Sequence, residues 1–174
     1  MEAIAVAFVP ELEVKTTVNV CLEIQNELNE RFPNTPGKKV IVLGLKNESL
    51  MPFLCDKFGE KVSCMDMADW NERNRKIQFK TVQGDFTCLP IANSSVDVMV
   101  SADTFEEELD LVRALAEIER VLIGGGEAIL IISGEYFDEE EKLKLSTALD
   151  VVGSRMVVSP AGEGGFRVIT FKKK

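Results

Sequence analysis

Residues 39–45 read KVIVLGL, an apolar run of strand length without polar alternation. Strands of this kind lie in the middle of a parallel sheet, where helices cover both faces. A second such run, AILII at 128–132, follows a segment with helical periodicity and three glycines, 124–126, which are expected to end that helix. Strand and helix patterns alternate around both runs. This order predicts a three-layer α/β sandwich with right-handed crossovers.

The remaining elements follow from the spacing of apolar residues. Helices are expected at 17–32, 49–58, 106–122 and 138–149, with Thr16 or Thr17 capping the first. Strands are expected at 39–45, 61–65, 77–82, 96–101, 128–132, 155–159 and 166–171, and a short strand could also form at 3–9. The strand at 96–101, VDVMVS, shows a clean alternation of apolar and polar residues.

The connection between the last two strands, PAGEGG, is short and rich in glycine. It predicts a hairpin and therefore an antiparallel final strand. The whole is a doubly wound, mostly parallel seven-stranded sheet with an antiparallel C-terminal hairpin strand. A chain of 174 residues corresponds to one domain, here an N-terminal extension at 1–36 and a core at 37–174.

Composition excludes several classes of function. The net charge of −9 disfavours a nucleic-acid partner, and no apolar run is long enough for a membrane helix. There is no histidine, which removes the usual catalytic triads and histidine-based metal sites. Four separated cysteines without a CxxC pair indicate reduced thiols in a cytoplasmic protein and no metal site.

Ligands of doubly wound sheets bind outside the carboxyl ends of the strands. The segments to inspect are therefore those that follow each predicted strand. They are residues 44–48, 66–67, 85–86 and 101–105.

Two segments resemble a known family. GDFTCLPIANSSVDVMVS, residues 84–101, is similar to a stretch of the class I S-adenosylmethionine-dependent methyltransferases that reads roughly GD-x-x-x-LP-F-x-D-x-S-F-D-x-V. EIERVLIGGG, residues 117–126, is similar to that family's E-x-x-RVL-K-P-GG, in the same order along the chain. The likeness extends over about 37–171. It implies the Rossmann-like methyltransferase fold and S-adenosylmethionine as cofactor.

The resemblance also implies roles for single residues. Asp66 would accept the ribose hydroxyls, and Asp85 the adenine amine, with Met67 or Phe86 against the adenine ring. Gly44 matches the first glycine of the cofactor loop. The alternatives are a helix cap or solvated loop carboxylate for Asp66 and a turn-stabilising aspartate for Asp85.

The cofactor loop departs from the family pattern, which has an acidic residue followed by G-x-G-x-G. Val42 stands at the acidic position, and Lys46 and Glu48 stand at the later glycines. Glycine there permits positive φ and a close approach of the ligand. Val42 cannot recognise the cofactor's amino group, so binding depends on the two aspartates.

Methyl transfer depends mainly on holding two reactants in line, so the absence of histidine is compatible with it. Three candidates lie at or after the end of the strand at 96–101, near the expected reacting centre. They are Ser101, which also belongs to the implied cofactor set, and the weaker candidates Asp103 and Glu106. Two functions stay open: a methyltransferase acting on a small molecule, or a non-catalytic methyltransferase-like binding or scaffold domain. A homodimer is compatible with either. The sequence does not identify the methyl acceptor.

Overall fold

The computed structural model describes residues 10–44, 50–67, 80–102, 108–133, 148–158 and 165–174. The helices in these ranges are α1 (Pro10–Arg31), α2 (Leu50–Phe58) and α3 (Glu108–Val121), with a short 3-10 turn at Gly59–Lys61. The strands are β1 (Val40–Leu43), β2 (Val62–Asp66), β3 (Lys80–Gln83), β4 (Val96–Ala102), β5 (Leu122–Ser133), β6 (Leu149–Val158) and β7 (Gly165–Lys173).

The strands form one seven-stranded sheet in the order β3-β2-β1-β4-β5-β7-β6. Strands β1 to β5 are parallel to one another, whereas β7 runs antiparallel to both β5 and β6. The predicted fold class is therefore confirmed. The strand order reverses between β1 and β4, where ligand sites of such sheets lie.

Apolar side chains fill both faces of the sheet. On one face, Val40 and Val42 of β1 pack with the buried residues of α1 and α2. On the other face, Ile41 and Leu43 pack with α3. A strand that is covered on both sides reads as a continuous apolar run, which is why 39–45 shows no alternation.

Four details differ from the sequence-based expectation. Helix α1 begins at Pro10, so Thr16 and Thr17 lie inside it and do not cap it. Proline suits a first helical turn because its missing N–H has no partner there. The alternation of apolar and polar residues expected in β4 is wrong as a prediction of burial. Every residue of β4 except Asp97 is buried, because the strand lies between β1 and β5.

The third difference concerns the three glycines at 124–126. Helix α3 ends at Val121, and β5 begins at once with Leu122, so the glycines lie within the strand. The β4–β5 register shifts there. A Cβ on Gly126 would lie 3.0 Å from the Ile123 carbonyl oxygen and 3.1 Å from that of Asp97. The glycine is needed for this close backbone approach, and not for ending the helix.

The antiparallel end extends further than predicted. Strand β6 already begins at Leu149, the last residue of the helix expected at 138–149. The antiparallel direction of the final strand is confirmed. The expected strand at 3–9, most of that helix and the hairpin connection lie outside the described residues.

Helix α1 is held on the sheet by a partly buried charged cluster. The Arg31 side chain donates to Glu27 at 2.6 Å and to Glu127 of β5 at 3.1 Å, and the Thr170 hydroxyl of β7 donates to Glu27 at 2.9 Å. Arg155 of β6 pairs with Glu23. Burial raises the pKa of Glu27, but the hydrogen bonds from Arg31 and Thr170 and the nearby arginines outweigh it, so the net pKa is lowered. The cluster fixes α1 against the antiparallel part of the sheet.

Candidate functional site

Backbone hydrogen bonds join the carboxyl ends of four adjacent strands. The Gly44 N–H, just after β1, donates to the Met65 carbonyl of β2 at 2.8 Å. The Gly84 N–H, just after β3, donates to the Asp66 carbonyl at 2.9 Å. On the other side, Leu43 is in register with Ser101 of β4. The structure therefore brings Ser101, Gly44, Asp66 and Asp85 to one edge of the sheet, hereafter the strand-end edge.

Gly44 has a φ of +83°, in the left-handed region that favours glycine. The chain turns sharply as it leaves β1, as the expected cofactor loop requires. Lys46 and Glu48 lie outside the described residues.

Asp66 is the last residue of β2 and is half-buried. The Met67 side chain beside it is 62% exposed. The Gln83 side-chain amide donates to the Met67 carbonyl at 3.2 Å, which ties this turn to the end of β3. A carboxylate next to an accessible thioether can bind a hydroxyl-bearing ligand whose flat apolar part covers the methionine.

Asp85 forms a tight turn with Thr87. Its Oδ1 accepts the Thr87 backbone N–H and the Thr87 hydroxyl, each at 2.7 Å. These two bonds hold the pKa of Asp85 below its ordinary value, so the exposed carboxylate is ionised at neutral pH. The turn role weighed from the sequence is thus present and uses Oδ1. An adenine amine would have to donate to Oδ2.

Phe86 lies in the core on the α3 side of the sheet, packed among residues that include Leu43, Met65 and Leu89. Met67 is therefore the exposed member of the pair expected against an adenine ring.

Ser101 is buried completely, at 0% exposure. Within the described part of the chain, its Oγ has no hydrogen-bond partner. A buried hydroxyl without a partner costs stability, on the order of 1–3 kcal/mol. This unmet hydrogen bond at the strand-end edge points to a polar ligand group. Asp103 and Glu106, the other candidates after β4, lie outside the described ranges.

Val42 does not reach the strand-end edge with a polar group. It is 5% exposed and packs in the core beneath α1 and α2. Nearby, burial raises the pKa of the Cys64 thiol to about 12, with a smaller contribution from Asp66, so this cysteine is not a thiolate nucleophile at neutral pH. The groups of Asp66 and Met67 thus fit the nucleoside half of S-adenosylmethionine, whereas Val42 supplies no carboxylate for its amino group.

The contact between the two motif segments was missed by sequence reasoning. Glu117 of α3 accepts the Leu89 backbone N–H at 2.7 Å, and Arg120 binds both oxygens of the same carboxylate at 2.7 Å. Arg120 also donates to the carbonyls of Leu89 and Ile91, each at 2.8 Å, and to the Asn93 side chain at 2.6 Å. The spacing of Glu117 and Arg120 was the available signal, since residues three apart on a helix are neighbours.

Asp97, which also matches the family pattern, has a structural role. Its Oδ2 accepts the Lys39 backbone N–H at 2.9 Å, and its Oδ1 lies 3.5 Å from the Lys38 ammonium group. The carboxylate thereby joins the starts of β1 and β4.

Comparison with known proteins gives one family and several relatives. A family profile described as "Methyltransferase domain" matches residues 47–130. The glycine/sarcosine/dimethylglycine N-methyltransferase of Actinopolyspora halophila is 27% identical over 141 residues, covering 76% of this chain and 24% of that protein. The chain thus spans about a quarter of the length of this curated relative.

Solved structures agree on the fold. The 1,6-didemethyltoxoflavin-N1-methyltransferase of Burkholderia thailandensis, solved with bound 1,6-didemethyltoxoflavin and S-adenosylhomocysteine, has a TM-score of 0.71 at 14% identity, covering 100% of this chain and 93% of that one. The cyclase SpnF has a TM-score of 0.65 at 14% identity, covering 87% of this chain and 80% of that one. None of the helices in the described ranges is long and apolar enough to cross a membrane.

The chain has the class I methyltransferase fold, with the strand order and antiparallel β7 described above. The recognition of the class I S-adenosylmethionine-dependent methyltransferase family from two sequence motifs is confirmed.

Proposed function

We propose that the chain is an S-adenosylmethionine-dependent methyltransferase domain that acts on a small-molecule acceptor. The observation that carries the proposal is the strand-end edge, where Asp66 and Met67 at the end of β2 and the buried hydroxyl of Ser101 on β4 lie on either side of β1. The family profile and the curated relative, which is named for N-methylation of small amino acids, support the same activity.

In this proposal each residue of the edge has a binding role. The Asp66 carboxylate accepts the ribose hydroxyls, and the Met67 side chain packs on the adenine ring. Asp85 accepts the adenine amine through Oδ2 while Oδ1 stays in the Thr87 turn. The Ser101 hydroxyl donates to the amino-acid part of the ligand, which completes its unmet hydrogen bond.

The bound cofactor supplies an electrophilic methyl group on a sulfonium sulfur. The chain's own contribution is to hold the acceptor atom in line with that group and to exclude water. A general base is required only where the acceptor must lose a proton, and Asp103 and Glu106 are the proposed candidates.

A second candidate is a domain that binds a ligand at this edge without methyl transfer. Two observations favour it: Val42 is a core residue, and one oxygen of Asp85 is already occupied by the turn. The structural likeness to a protein named as a cyclase is consistent with a non-methyltransferase use of the fold.

Calorimetry with S-adenosylmethionine and S-adenosylhomocysteine tests the proposal. Ligand at 100 times its dissociation constant should raise the unfolding free energy by about 2.7 kcal/mol. Asp66→Asn should weaken binding about tenfold or more, since a charge-assisted hydrogen bond to the ribose is lost. Asp150→Asn is the matched control, because that carboxylate is exposed on β6, away from the edge.

Absence of binding at millimolar concentrations of either compound would contradict the proposal. Equal weakening by Asp66→Asn and Asp150→Asn would contradict the role of Asp66. Binding without transfer of a labelled methyl group to glycine, sarcosine or other small amines would favour the second candidate.

A further inference from the structure

The connection between β3 and β4 leaves part of the sheet without helical cover. Residues 84–95 are all described, and they contain turns and one isolated bridge between Asp85 and Cys88 but no helix. In a doubly wound sheet, crossover helices usually cover such a face. Among the described residues, the loop at 84–95 covers part of the sheet face on the α3 side, beside the area where Ile41 and Leu43 pack with α3.

A cavity of about 210 Å³ lies between this face and the loop. The apolar part of its lining includes Ile41 and Met65 from the sheet and Ile91 from the loop. Register places Ile41 beside Ser63 and Ser63 beside Lys80, so the lining crosses three adjacent strands. The lining runs from Lys39, just before β1, and Lys80, at the start of β3, to Met65 and Val82, each one residue before the end of its strand.

Two lysines and one hydroxyl supply the polar part of the lining: Lys39, Lys80 and Ser63. The Lys39 ammonium group is 3.5 Å from the Ser95 hydroxyl. Across the described ranges, neither lysine forms an ion pair with a carboxylate, whereas the adjacent Lys38 pairs with Asp97. In a chain with a net charge of −9, two cations that have no carboxylate partner among the described residues therefore border one cavity.

We propose that this cavity binds a small organic anion with a flat or branched apolar body and one carboxylate. The charge follows from the two ammonium groups, which provide charge-assisted donors to an anionic oxygen. The size follows from the volume, since a cavity of about 150 Å³ is enough for benzene. An aromatic ring with a carboxylate therefore fits, with its ring on Met65 and Ile91 and its carboxylate between Lys39 and Lys80.

The roof of the cavity is fixed by α3. Arg120 donates to the Ile91 carbonyl, and the Glu117 carboxylate accepts the Leu89 N–H two residues earlier. This fastening preforms the cavity, so little loop ordering is lost on binding.

Benzoate is the probe, and calorimetry of the full chain without S-adenosylmethionine is the assay, so the result is independent of the proposed methyltransferase function. We expect a dissociation constant on the order of 1 mM. Benzyl alcohol has the same ring without the charge, and inorganic phosphate has charge without a ring. Both should bind about fivefold more weakly or worse.

Variants locate the site. Lys39→Gln and Lys80→Gln should each weaken benzoate binding about fivefold, because each removes one charged donor. Lys61→Gln, at an exposed lysine outside the cavity, is the matched control and should leave binding unchanged. Val82→Phe, which fills the cavity from β3, should abolish binding while circular dichroism confirms the fold.

Equal affinity for benzoate and benzyl alcohol would overturn the assignment of an anion site. No binding of benzoate up to about 20 mM, twenty times the expected constant, would overturn the site itself. Equal effects of Lys80→Gln and Lys61→Gln would place the anion elsewhere.

Discussion

Arg120 and Glu117 form a bidentate ion pair on α3, and both side chains also bind the loop that follows β3. The guanidinium binds both carboxylate oxygens at 2.7 Å, while the remaining donors and acceptors of the pair bind the backbone at Leu89 and Ile91. The contact between them therefore explains part of the residue pattern in each of the two motifs that identify the family. The motif at 117–126 supplies the Glu117–Arg120 ion pair, hereafter the clamp, and the motif at 84–101 supplies the loop that the pair binds.

Loss of this clamp should destabilise the fold. Arg120→Met keeps the length of the side chain but removes its bonds to Leu89, Ile91 and Asn93 and leaves the Glu117 carboxylate without its cation. We expect a loss of about 2–4 kcal/mol in unfolding free energy by urea denaturation. Arg113→Met, at an exposed position on the same helix, should change it by less than about 0.5 kcal/mol. Similar losses in both variants would contradict the clamp.

Acid should weaken the same contact. The hydrogen bond from Arg120 lowers the pKa of Glu117, more than burial raises it. A folded-state pKa below the unfolded value contributes stability above the unfolded pKa, and this stability is lost as the pH falls through the folded value. Unfolding free energy should therefore fall below about pH 4.5, near the ordinary value for glutamate.

The contribution of Glu117 is separable by substitution. Glu117→Gln should flatten the acid limb of the stability curve, whereas Glu60→Gln, at an exposed residue, should leave its shape intact. If the unfolding free energy falls with acid equally in Glu117→Gln and in the parent, protonation of Glu117 does not contribute to the loss of stability.

Restoring the family's acidic residue should harm this chain. Val42→Asp would bury a carboxylate in the core beneath α1 and α2, at a cost of at least about 3 kcal/mol in unfolding free energy. Val42→Ala removes the same apolar packing without adding charge, so the difference between the two variants isolates the charge. A Val42→Asp protein as stable as Val42→Ala, with tighter S-adenosylmethionine binding, would mean that this side chain faces the ligand.

Ser101 offers a test in which stability and binding move in opposite directions. Ser101→Ala removes a buried hydroxyl that has no partner among the described residues, so the free protein should be unchanged or more stable by about 1 kcal/mol. If Oγ binds the cofactor, calorimetry should show about tenfold weaker binding of S-adenosylhomocysteine. Ser154→Ala, at an exposed serine of β6, should affect neither measurement. Unchanged affinity in Ser101→Ala would remove Ser101 from the site.

Much of the fold follows from the sequence because burial on two faces leaves a visible pattern. The apolar run at β1 and the motif that ends in β4 predicted the parallel sheet, and the glycine-rich connection predicted the direction of β7. The start of α1 could not be predicted, because its first turns lack the apolar spacing seen from Val20 onward. The glycines in β5 were misread because close approach to the Asp97 backbone is a tertiary contact.

The positions of Asp66 and Asp85 after the ends of predicted strands could be read from the sequence, and both lie at the strand-end edge, while their binding roles stay predictions. The turn that engages Asp85 and the unmet hydroxyl of Ser101 depend on which atoms meet in space, and spacing along the chain does not encode this. Likewise, the cavity beside Lys39 and Lys80 exists because a helix is missing between β3 and β4. A sequence pattern indicates a helix that is present more readily than it indicates a connection in which the usual helix is missing.

The short stretch from Gly84 to Ser95 borders both the strand-end edge and the lysine-lined cavity. Its first residues line the end of the sheet where a nucleotide-like ligand is proposed, and its later residues roof the lysine-lined cavity. A substitution anywhere in that stretch is therefore expected to change both binding at the strand-end edge and binding in the cavity. Genetic or directed-evolution changes mapped there should be scored for both before either phenotype is assigned to one ligand.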